Sequence, residues 1–406
     1  MSNHTAQPVG GPIIFNRFTR FLAMFLGLWV LILLYRFFTG IGTVSGLTDG
    51  YPWGIWIAFD VVTGTALACG GYAIAILAYI LNKGKYHPLV RPALLTSALG
   101  YSMAALAIII DVGRWWGIWK IPFGGFPNVG NYNWNSALLE VALCVMAYVG
   151  VLWIELGPAF LEKWKATSKS SALVSFSTGM LKFYDKALIW IIALGLLLPT
   201  MHQSSLGTVM LIAGHKLHPL WNTGWIPLLF LISCIGMGYA VVVWESGVSS
   251  AVFKRQREDS MLVSLSGAVE VTLVLFLLLR FGELIASGKF PMTFTSGFYS
   301  VVFWIETALF VIPLVMLLRG KDRRNFATIM RASIFIMLAG AMYRFDSYIV
   351  AFNPGANWSY FPTVLELLIT LGAVGFEIFL YIIIVKRYPI LSGTRAAGVV
   401  ESEGRA

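Results

Sequence analysis

Charged side chains are scarce in this sequence: they make up 12% of its 406 residues, whereas 58% of the residues are hydrophobic. A soluble domain of this length needs a much larger polar surface, so the composition excludes the soluble globular class. The net charge of +10 does not indicate nucleic-acid binding, because the charges stand in short clusters between long apolar runs. The mean hydropathy of +0.77 indicates a protein that lies in a lipid bilayer.

Cysteine and histidine are also rare, which limits the metal centres that this chain can hold. The three cysteines, Cys69, Cys144 and Cys234, lie in separate apolar segments. An iron–sulfur cluster takes about four thiolates, so we expect neither such a cluster nor a disulfide framework, but three small core residues. Only one of the five histidines, His202, lies inside an apolar segment. A haem between two facing histidines is therefore not expected, and no other metal site is expected either.

Ten long apolar runs account for most of the chain. Because about 20 helical residues cross the hydrocarbon core of a bilayer, the sequence predicts an all-α integral membrane protein with ten transmembrane helices in residues 18–387. Tails at 1–17 and 388–406 flank this domain, and no soluble domain is expected. The predicted helices are 18–39, 53–81, 89–116, 135–160, 186–212, 226–252, 261–286, 297–318, 326–350 and 362–387.

Three stretches depart from this regular pattern. The fifth predicted helix contains Pro199 and the polar run 202–205, and a break at membrane depth is tolerated only against protein or a wet cavity, so we expect a broken helix beside a site. Residues 161–185 mix lysines with apolar residues and are expected to lie on the cytoplasmic surface. The aromatic loop 117–134 is either an uncharged docking face or an ordinary interfacial belt.

The basic residues are distributed unevenly between the two sides of the predicted membrane domain. Of the 29 Lys and Arg residues, 22 lie in the two tails and the even-numbered connections, and 7 lie on the other side. Loops rich in Lys and Arg face the cytoplasm. The sequence therefore predicts that both termini are cytoplasmic and that the aromatic loops face outward.

Several ionisable side chains lie inside the predicted helices, where burial in hydrocarbon is costly and indicates function. Counting at about 1.5 Å per residue puts Asp60 roughly 10 Å, Glu140 about 8 Å and His202 about 16 Å from the outer helix ends. Asp111 and Arg114 close the outer end of the third helix. Four successive helices thus place polar groups at similar depths toward the outer face.

Other charged residues are expected to pair locally or to lie deeper. Spacing at i and i+3 on one helix predicts the structural pair Asp111–Arg114. Arg280 with Glu283 and Arg344 with Asp346 are also expected to form structural pairs. The deeper acids either form a proton path or bridge helices by hydrogen bonds, and the sequence leaves both interpretations open; they are Glu155, Glu245, Glu270, Glu306 and Glu377.

The block PTMHQSSLGTVM (199–210) favours a hydrogen-bonding site for a quinone. A quinone head group needs two donors near its carbonyl oxygens and an acid that delivers protons, inside an otherwise apolar cleft. His202 and Gln203 are the candidate donors and Glu140 the candidate acid. The site candidates for quinone binding are His202, Gln203, Asp60 and Trp134, and those for proton transfer are Glu140, Asp60, Glu155 and Glu245.

Several sequence blocks in order across the ten helices carry a resemblance to a known family. These blocks are YPWGIWIAFD (51–60), KYHPLVRPALL (85–95), PTMHQSSLGTVM (199–210), HPLW (218–221), RFGEL (280–284) and AFNPG (351–355). With them the chain resembles the NrfD/polysulfide-reductase type of membrane subunit, and within it the HybB-like membrane subunits of nickel–iron hydrogenases of the hydrogenase-2 type. The tails and residues 161–180 match no motif.

The resemblance implies a haem-free subunit of a bacterial inner membrane that reacts with menaquinone or ubiquinone. It implies two four-helix bundles, about 53–212 and 226–350, with flanking helices and a quinone pocket near the outer face of the first bundle. The implied partners are a periplasmic ferredoxin-like iron–sulfur subunit and the small and large hydrogenase subunits. Glu140 matches the family's functional glutamate at the start of the fourth helix, and Asp60 and His202 match residues of its motifs.

Other functions remain open at this point. The chain can be the quinone subunit of another periplasmic respiratory oxidoreductase. It can also couple quinone chemistry to proton movement through the deeper acids, or serve only as an anchor. A secondary transporter is a further possibility, which would predict solute uptake by the isolated chain.

Overall fold

The computed structural model describes residues 6–124, 132–318 and 325–392. Throughout these ranges the chain forms helices and loops, with no strand longer than an isolated bridge between Leu217 and Phe352. Its long helices are α1 Arg17–Thr39, α2 Trp56–Ile80, α3 Gly84–Asp111, α4 Ala137–Thr167, α5 Ser171–Ile212, α6 Ile226–Val252, α7 Asp259–Ala286, α8 Phe298–Leu318, α9 Phe326–Val350 and α10 Val364–Arg387.

Nine of these helices are long and apolar enough to cross a membrane by length and composition, within the described ranges. The remaining one, α5, has 42 residues, and the fifth predicted span, 186–212, forms its C-terminal part. The predicted all-α membrane fold with about ten helices is thereby confirmed. Part of the aromatic loop, residues 125–131, and most of the C-terminal tail lie outside the described ranges.

The structure corrects the prediction for the segment before and within α5. Helix α4 continues to Thr167 and α5 begins at Ser171, where the Ser170 side chain accepts from the Leu173 N–H, so residues 161–185 lengthen the two predicted helices. Helix α5 also runs through Pro199 without a break. Hydroxyl groups next to the proline add hydrogen bonds to the helix backbone: Thr200 donates to the Leu196 carbonyl at 2.7 Å and Ser204 to the Thr200 carbonyl at 2.9 Å.

The helices pack as two bundles with a flanking pair. Helices α2–α5 form the first bundle and α6–α9 the second, and α6 joins them by packing against both α2 and α5. Helices α1 and α10 pack on each other and against α3. Gly238 permits the α2–α6 contact, because a Cβ there would lie 2.5 Å from the Cys69 carbonyl oxygen. The two bundles therefore meet at a contact of backbone against backbone.

Helices α2 and α9 each widen into a π-helical turn near the same end of the domain. In α2 this turn is Trp56–Thr63, which holds Asp60, and in α9 it is Asp346–Val350. Single π-turns inside helices occur frequently at functional sites, because they redirect side chains and free backbone carbonyls. Asp60 and Asp346 both lie in such turns.

Candidate functional site

A polar network lies fully buried where the two bundles meet. His202 and Gln203 of α5 are 0% exposed. The His202 Nε2 atom lies 3.2 Å from the Thr65 hydroxyl of α2, and the Gln203 amide donates to the same hydroxyl at 3.1 Å and to the Tyr101 hydroxyl of α3 at 3.4 Å. The network thus ties three helices of the first bundle together through neutral side chains.

The hydrogen bonds of Thr65 fix the protonation of His202. The Thr65 hydroxyl donates its one proton to the Val61 carbonyl at 2.6 Å, so it can only accept from His202 and Gln203. His202 therefore carries its proton on Nε2, and its Nδ1 is an acceptor. This Nδ1 is buried without a hydrogen-bond partner among the described residues. A buried acceptor of this kind is available to a proton or to a donor that enters the network.

Arg344 of α9 extends the network into the second bundle. Its guanidinium donates to the Phe230 carbonyl at 2.8 Å, to the Ser233 hydroxyl at 3.0 Å and to the Gln203 side-chain oxygen at 3.3 Å. Within the described part of the chain, no carboxylate lies within ion-pair distance of Arg344. Arg344 therefore places a positive charge next to Gln203, and the predicted Arg344–Asp346 pair is wrong.

Asp60 and Glu140 are not hydrogen-bonded to this network. Asp60 is buried and accepts from the Thr370 hydroxyl of α10 at 2.8 Å, so its carboxyl group turns toward the flanking helices. Glu140 lies half-buried in the first turn of α4, after the N-cap Ser136. The structure thus joins His202 and Gln203 through the Thr65 hydroxyl, and it leaves the two acids on separate sides of the first bundle.

An open cleft of about 470 Å³ lies above the network, at the end predicted to face outward. It is formed by the beginning of α2, the beginning of α4 and the end of α5, and Ser136, Ala137 and Val209 line its inner part. Glu140 follows Ala137 by one turn, and Val209 follows His202 by two turns, or about 10 Å. Asn133 and Asn135 also line the cleft, whereas the exposed Trp134 between them packs on Tyr132 with ring centroids 5.4 Å apart.

The predicted proton-transfer residues Glu155 and Glu245 lie at the opposite end of the domain, in two separate cavities. Glu155 lines a cavity of about 290 Å³ among α2–α5, next to the ion pair of Arg91 with Glu162 at 2.6 Å. Glu245 of α6 accepts a hydrogen bond from Tyr381 of α10 and lines a cavity of about 460 Å³. Neither acid is hydrogen-bonded to the His202 network.

The charged residues at the helix ends predicted to face outward do not form the local pairs expected from the sequence. Helix α3 ends at Asp111, so Arg114 lies beyond the helix. Arg36 of α1 lies beside Asp111 instead. The Arg36 guanidinium donates to the Ile110 and Val112 carbonyls at 2.8 and 3.0 Å. The Arg280 side chain points into the second bundle, 3.9 Å from Glu306, while Glu283 lies 3.4 Å from Lys289.

Glu306 and Asp346 form a second buried acid group, a combination that the sequence did not predict. Glu306 accepts from the Trp221 indole N–H at 2.8 Å, and its carboxyl group lies within hydrogen-bonding reach of Asp346. Three aromatic rings, those of Trp221, Phe303 and Tyr343, surround the nearby Arg280 at 5.3 to 5.9 Å.

The loop between α5 and α6 carries the remaining histidine of interest. His218 stacks on Tyr299 with ring centroids 4.2 Å apart, and its Nδ1 accepts from the Leu220 N–H at 3.3 Å. Partial burial lowers the pKa of His218 below its usual value. It is therefore neutral near pH 7. No group of three or more His, Cys, Asp or Glu side chains suited to a metal ion occurs among the described residues.

Comparison with known proteins gives matches along nearly the whole chain. The model of a family described as "Polysulphide reductase, NrfD" matches residues 43–351. A protein of Escherichia coli K12 named "Probable Ni/Fe-hydrogenase 2 b-type cytochrome subunit" is 42% identical over 394 residues, which cover 96% of each chain. The "Menaquinone reductase, integral membrane subunit" of Nitratidesulfovibrio vulgaris is 26% identical over 87% of this chain and 86% of its own. A selenate reductase subunit of Mesobacillus selenatarsenatis is 22% identical over 86% and 88%.

The name of the E. coli relative raises haem b as a group to test against the described residues. A haem with two axial histidines needs facing imidazoles on neighbouring helices. His202 is fully buried, with Nε2 at the Thr65 hydroxyl and the Tyr101 ring 5.7 Å away. The other described histidines are His87 near the start of α3 and His215 and His218 in the loop after α5. These residues do not provide the facing pair that such a haem requires.

Proposed function

Because this chain belongs to the NrfD family of membrane subunits, we propose that it is the quinone-reactive subunit of a nickel–iron hydrogenase complex. The observation that carries this proposal is its 42% identity, over 96% of both chains, to the hydrogenase 2 subunit of E. coli. The relative named as a menaquinone reductase subunit supports menaquinone or ubiquinone as the electron acceptor. The hydrogenase subunits and a ferredoxin-like iron–sulfur subunit would bind on the outer, periplasmic face of the bacterial inner membrane.

The outer cleft is the proposed place for the quinone ring. Its volume of about 470 Å³ lies within the ~300–1,000 Å³ of typical ligand sites. The cleft opens at the face where the partner's iron–sulfur clusters would deliver electrons. Reduction of a quinone takes two electrons and two protons. Asn133, Asn135 and Ser136 supply hydrogen-bonding groups at the wall, and Glu140, one turn below, is the proposed proton donor.

The His202 network is proposed to hold the inner side of the site in place and to exchange protons with it. His202 presents a buried Nδ1 without a partner among the described residues, and Arg344 raises the positive potential beside Gln203. This arrangement can accept and return a proton at the His202 Nδ1, while both Gln203 amide protons are donated within the network, to Thr65 and Tyr101. Asp60, which turns toward Thr370, is assigned to proton transfer along the flanking helices.

Replacement of Glu140 by Gln tests the central role. We expect Glu140→Gln to lower hydrogen-dependent quinone reduction by about 10²-fold or more, because a positioned acid contributes roughly 10²–10⁴-fold to proton transfer. Hydrogen-dependent reduction of an artificial dye by the same purified complex should stay unchanged, since the dye takes electrons from the hydrogenase. The matched control is Glu283→Gln, which removes an acid that pairs with Lys289. Undiminished quinone reduction in Glu140→Gln would contradict the proposal.

A second candidate function, proton movement across the membrane, is favoured by the cavities that hold Glu155 and Glu245 at the inner end. If protons for the quinone come from the cytoplasm through Glu155, turnover builds a membrane potential. We expect a potential-sensitive dye in proteoliposomes to respond on addition of hydrogen and quinone. Glu155→Gln should abolish that response, with Glu162→Gln, at the mouth of the same cavity, as the comparison. No response in the wild-type complex would show that protons come from the outer side.

The names of other family members support a competing hypothesis, in which the electron-donating partner is not a hydrogenase. The relatives include proteins named for menaquinone reductase and selenate reductase, so the electron donor can be another periplasmic oxidoreductase. Affinity purification of the tagged chain from its own membranes, followed by identification of the bound subunits, distinguishes these cases. Recovery of hydrogenase subunits supports the proposal. Recovery of a different set of redox subunits would contradict the hydrogenase assignment but leave the quinone site as proposed. Recovery of the chain without other subunits would favour an anchor or a transporter.

A further inference from the structure

A deep slot of about 460 Å³ lies between α1, α3, α6 and α10, at the end of the domain opposite the outer cleft. Its walls are almost wholly apolar and include Phe18, Trp244, Val248, Ile378 and Ile382. Three of these side chains remain substantially exposed, Phe18 at 54%, Trp244 at 39% and Ile378 at 38%. The slot therefore opens sideways onto the surface of the domain that faces lipid.

The shape of the slot suits a chain better than a compact ring. It runs from Asn16 and Phe253, at the ends of α1 and α6, to Val241 and Thr96 in the interior. The twelve residues between Val241 and Phe253 correspond to about 18 Å of helix. A flexible hydrocarbon chain fills an elongated apolar space of this kind and removes its walls from water.

Three exposed cations are sequence neighbours of residues that line the slot at its surface end. Arg17 and Arg20 lie in the first turns of α1, next to the lining residues Asn16 and Thr19, and Lys254 directly follows the lining residue Phe253. Basic residues at the membrane surface between transmembrane helices attract anionic lipid head groups. The mouth thus matches a negative head group while the interior matches an apolar chain.

The polar groups inside the slot do not form a second head-group site. Tyr381 already donates its hydroxyl proton to Glu245, and Glu377 and Thr96 lie at the deep end. A hydrocarbon chain in the slot would cover Glu245 and Glu377 and keep water from both carboxyl groups. The occupant therefore has its charge at the mouth and its apolar part inside.

We propose that this slot binds one acyl chain of an anionic phospholipid, with the head group on Arg17, Arg20 and Lys254. The site is separate from the outer cleft and independent of the hydrogenase assignment. Its occupancy closes one face of the Glu245–Glu377 region to water.

Lipid retention by the purified full-length chain, in its native complex, tests the proposal. Native mass spectrometry in detergent would compare added phosphatidylglycerol with phosphatidylcholine of the same acyl chains. We expect phosphatidylglycerol to be retained more strongly, by about fivefold for each cation engaged. In the double variant R20Q/K254Q this preference should fall by roughly 25-fold. The control K165Q/K169Q, which removes two exposed cations at the ends of α4 and α5, should keep the wild-type preference.

A substitution that fills the slot tests the acyl-chain part of the proposal. Val248→Phe places a larger side chain in the slot, and we expect retention of phosphatidylglycerol to fall at least about tenfold, since several methylene groups lose their burial. Val315→Phe makes the same change on the exposed face of α8, away from the slot, and should have no effect. Equal retention of both lipids by the wild type, or unchanged retention in both R20Q/K254Q and Val248→Phe, would overturn the proposal. So would release of an isoprenoid quinone, instead of a phospholipid, on slot filling. The exposed-cation variant keeps the test decisive if Val248→Phe fails to fold.

Discussion

Thr65 is a small buried residue that organises the polar network around His202. Its hydroxyl proton is used by the Val61 carbonyl, and its oxygen receives both His202 and Gln203. One small side chain thus determines the tautomer of the histidine and the orientation of the amide. The uncharged Thr65 thus determines which ring nitrogen of the ionisable His202 carries the proton.

Replacement of Thr65 by Val keeps the shape and removes the hydroxyl group. We expect Thr65→Val to leave His202 Nε2 and a Gln203 N–H unpaired, at a cost of about 1–3 kcal/mol for each buried group. Thermal unfolding in detergent should shift downward, and quinone reduction should fall because Gln203 loses its fixed orientation. Thr65→Ser retains the hydroxyl and should restore both properties substantially. Equal behaviour of the Val and Ser variants would show that the hydroxyl does not organise the network.

At the scale of helices, the close contact of α2 with α6 decides how the two bundles meet. A Cβ on Gly238 would lie 2.5 Å from the Cys69 carbonyl and 2.9 Å from the Ala73 side chain. Cys69 and Thr65 are one turn apart on α2, so any displacement of this helix changes the geometry of the His202 network. The position requires glycine because backbone and backbone approach each other there.

We expect Gly238→Ala to destabilise the protein by about 1–3 kcal/mol, the usual cost of overpacking a tight core. Quinone reduction should fall as well, since α2 carries Thr65. The comparison is Gly267→Ala in α7, where the added Cβ meets nothing within 4 Å. That change should leave stability the same or raise it slightly, because Ala favours helix over Gly. A thermal melt of both variants in the same detergent measures the difference.

The helices themselves were predictable from the sequence, but most contacts of the site were not. Length and apolarity identify a transmembrane span locally, and nine described spans meet that criterion. The start of α5 was missed because lysines in residues 171–186 favoured a surface segment over a helix that extends beyond the bilayer. The predicted local ion pairs are wrong because the tertiary arrangement offers other partners: Arg280 lies 3.9 Å from Glu306 of α8, and Glu283 lies 3.4 Å from Lys289 in the loop after α7.

The candidate site was likewise predictable from the sequence only in part. The polar run at 202–205 indicated a functional site, and His202 and Gln203 lie at the centre of the buried network. Their partner Thr65 is 137 residues away from His202, and Asp60 finds Thr370 at a separation of 310 residues. A single sequence contains no signal for such pairings with a distant hydroxyl group, because they depend on how the helices are arranged around each other.

At the scale of the whole molecule, the distribution of charge makes a prediction about orientation. With 22 of 29 basic residues on the side of the termini, we expect both ends of the chain in the cytoplasm. A fluorescent protein fused to the C-terminus should fluoresce, and an enzyme that becomes active only outside the cytoplasm should stay inactive there. The same enzyme inserted after Gly288, between α7 and α8, should be active. The reverse pattern would place the aromatic loops and the outer cleft on the cytoplasmic side.

The length of α4 and α5 has a practical consequence for imaging. The two helices have 31 and 42 residues, or about 46 and 63 Å at 1.5 Å per residue, whereas the hydrocarbon core is only about 30 Å thick. Their joined ends therefore project from one side of the detergent belt as a helical hairpin. In electron micrographs this hairpin is a built-in fiducial mark, which distinguishes the two faces of a particle without any added label.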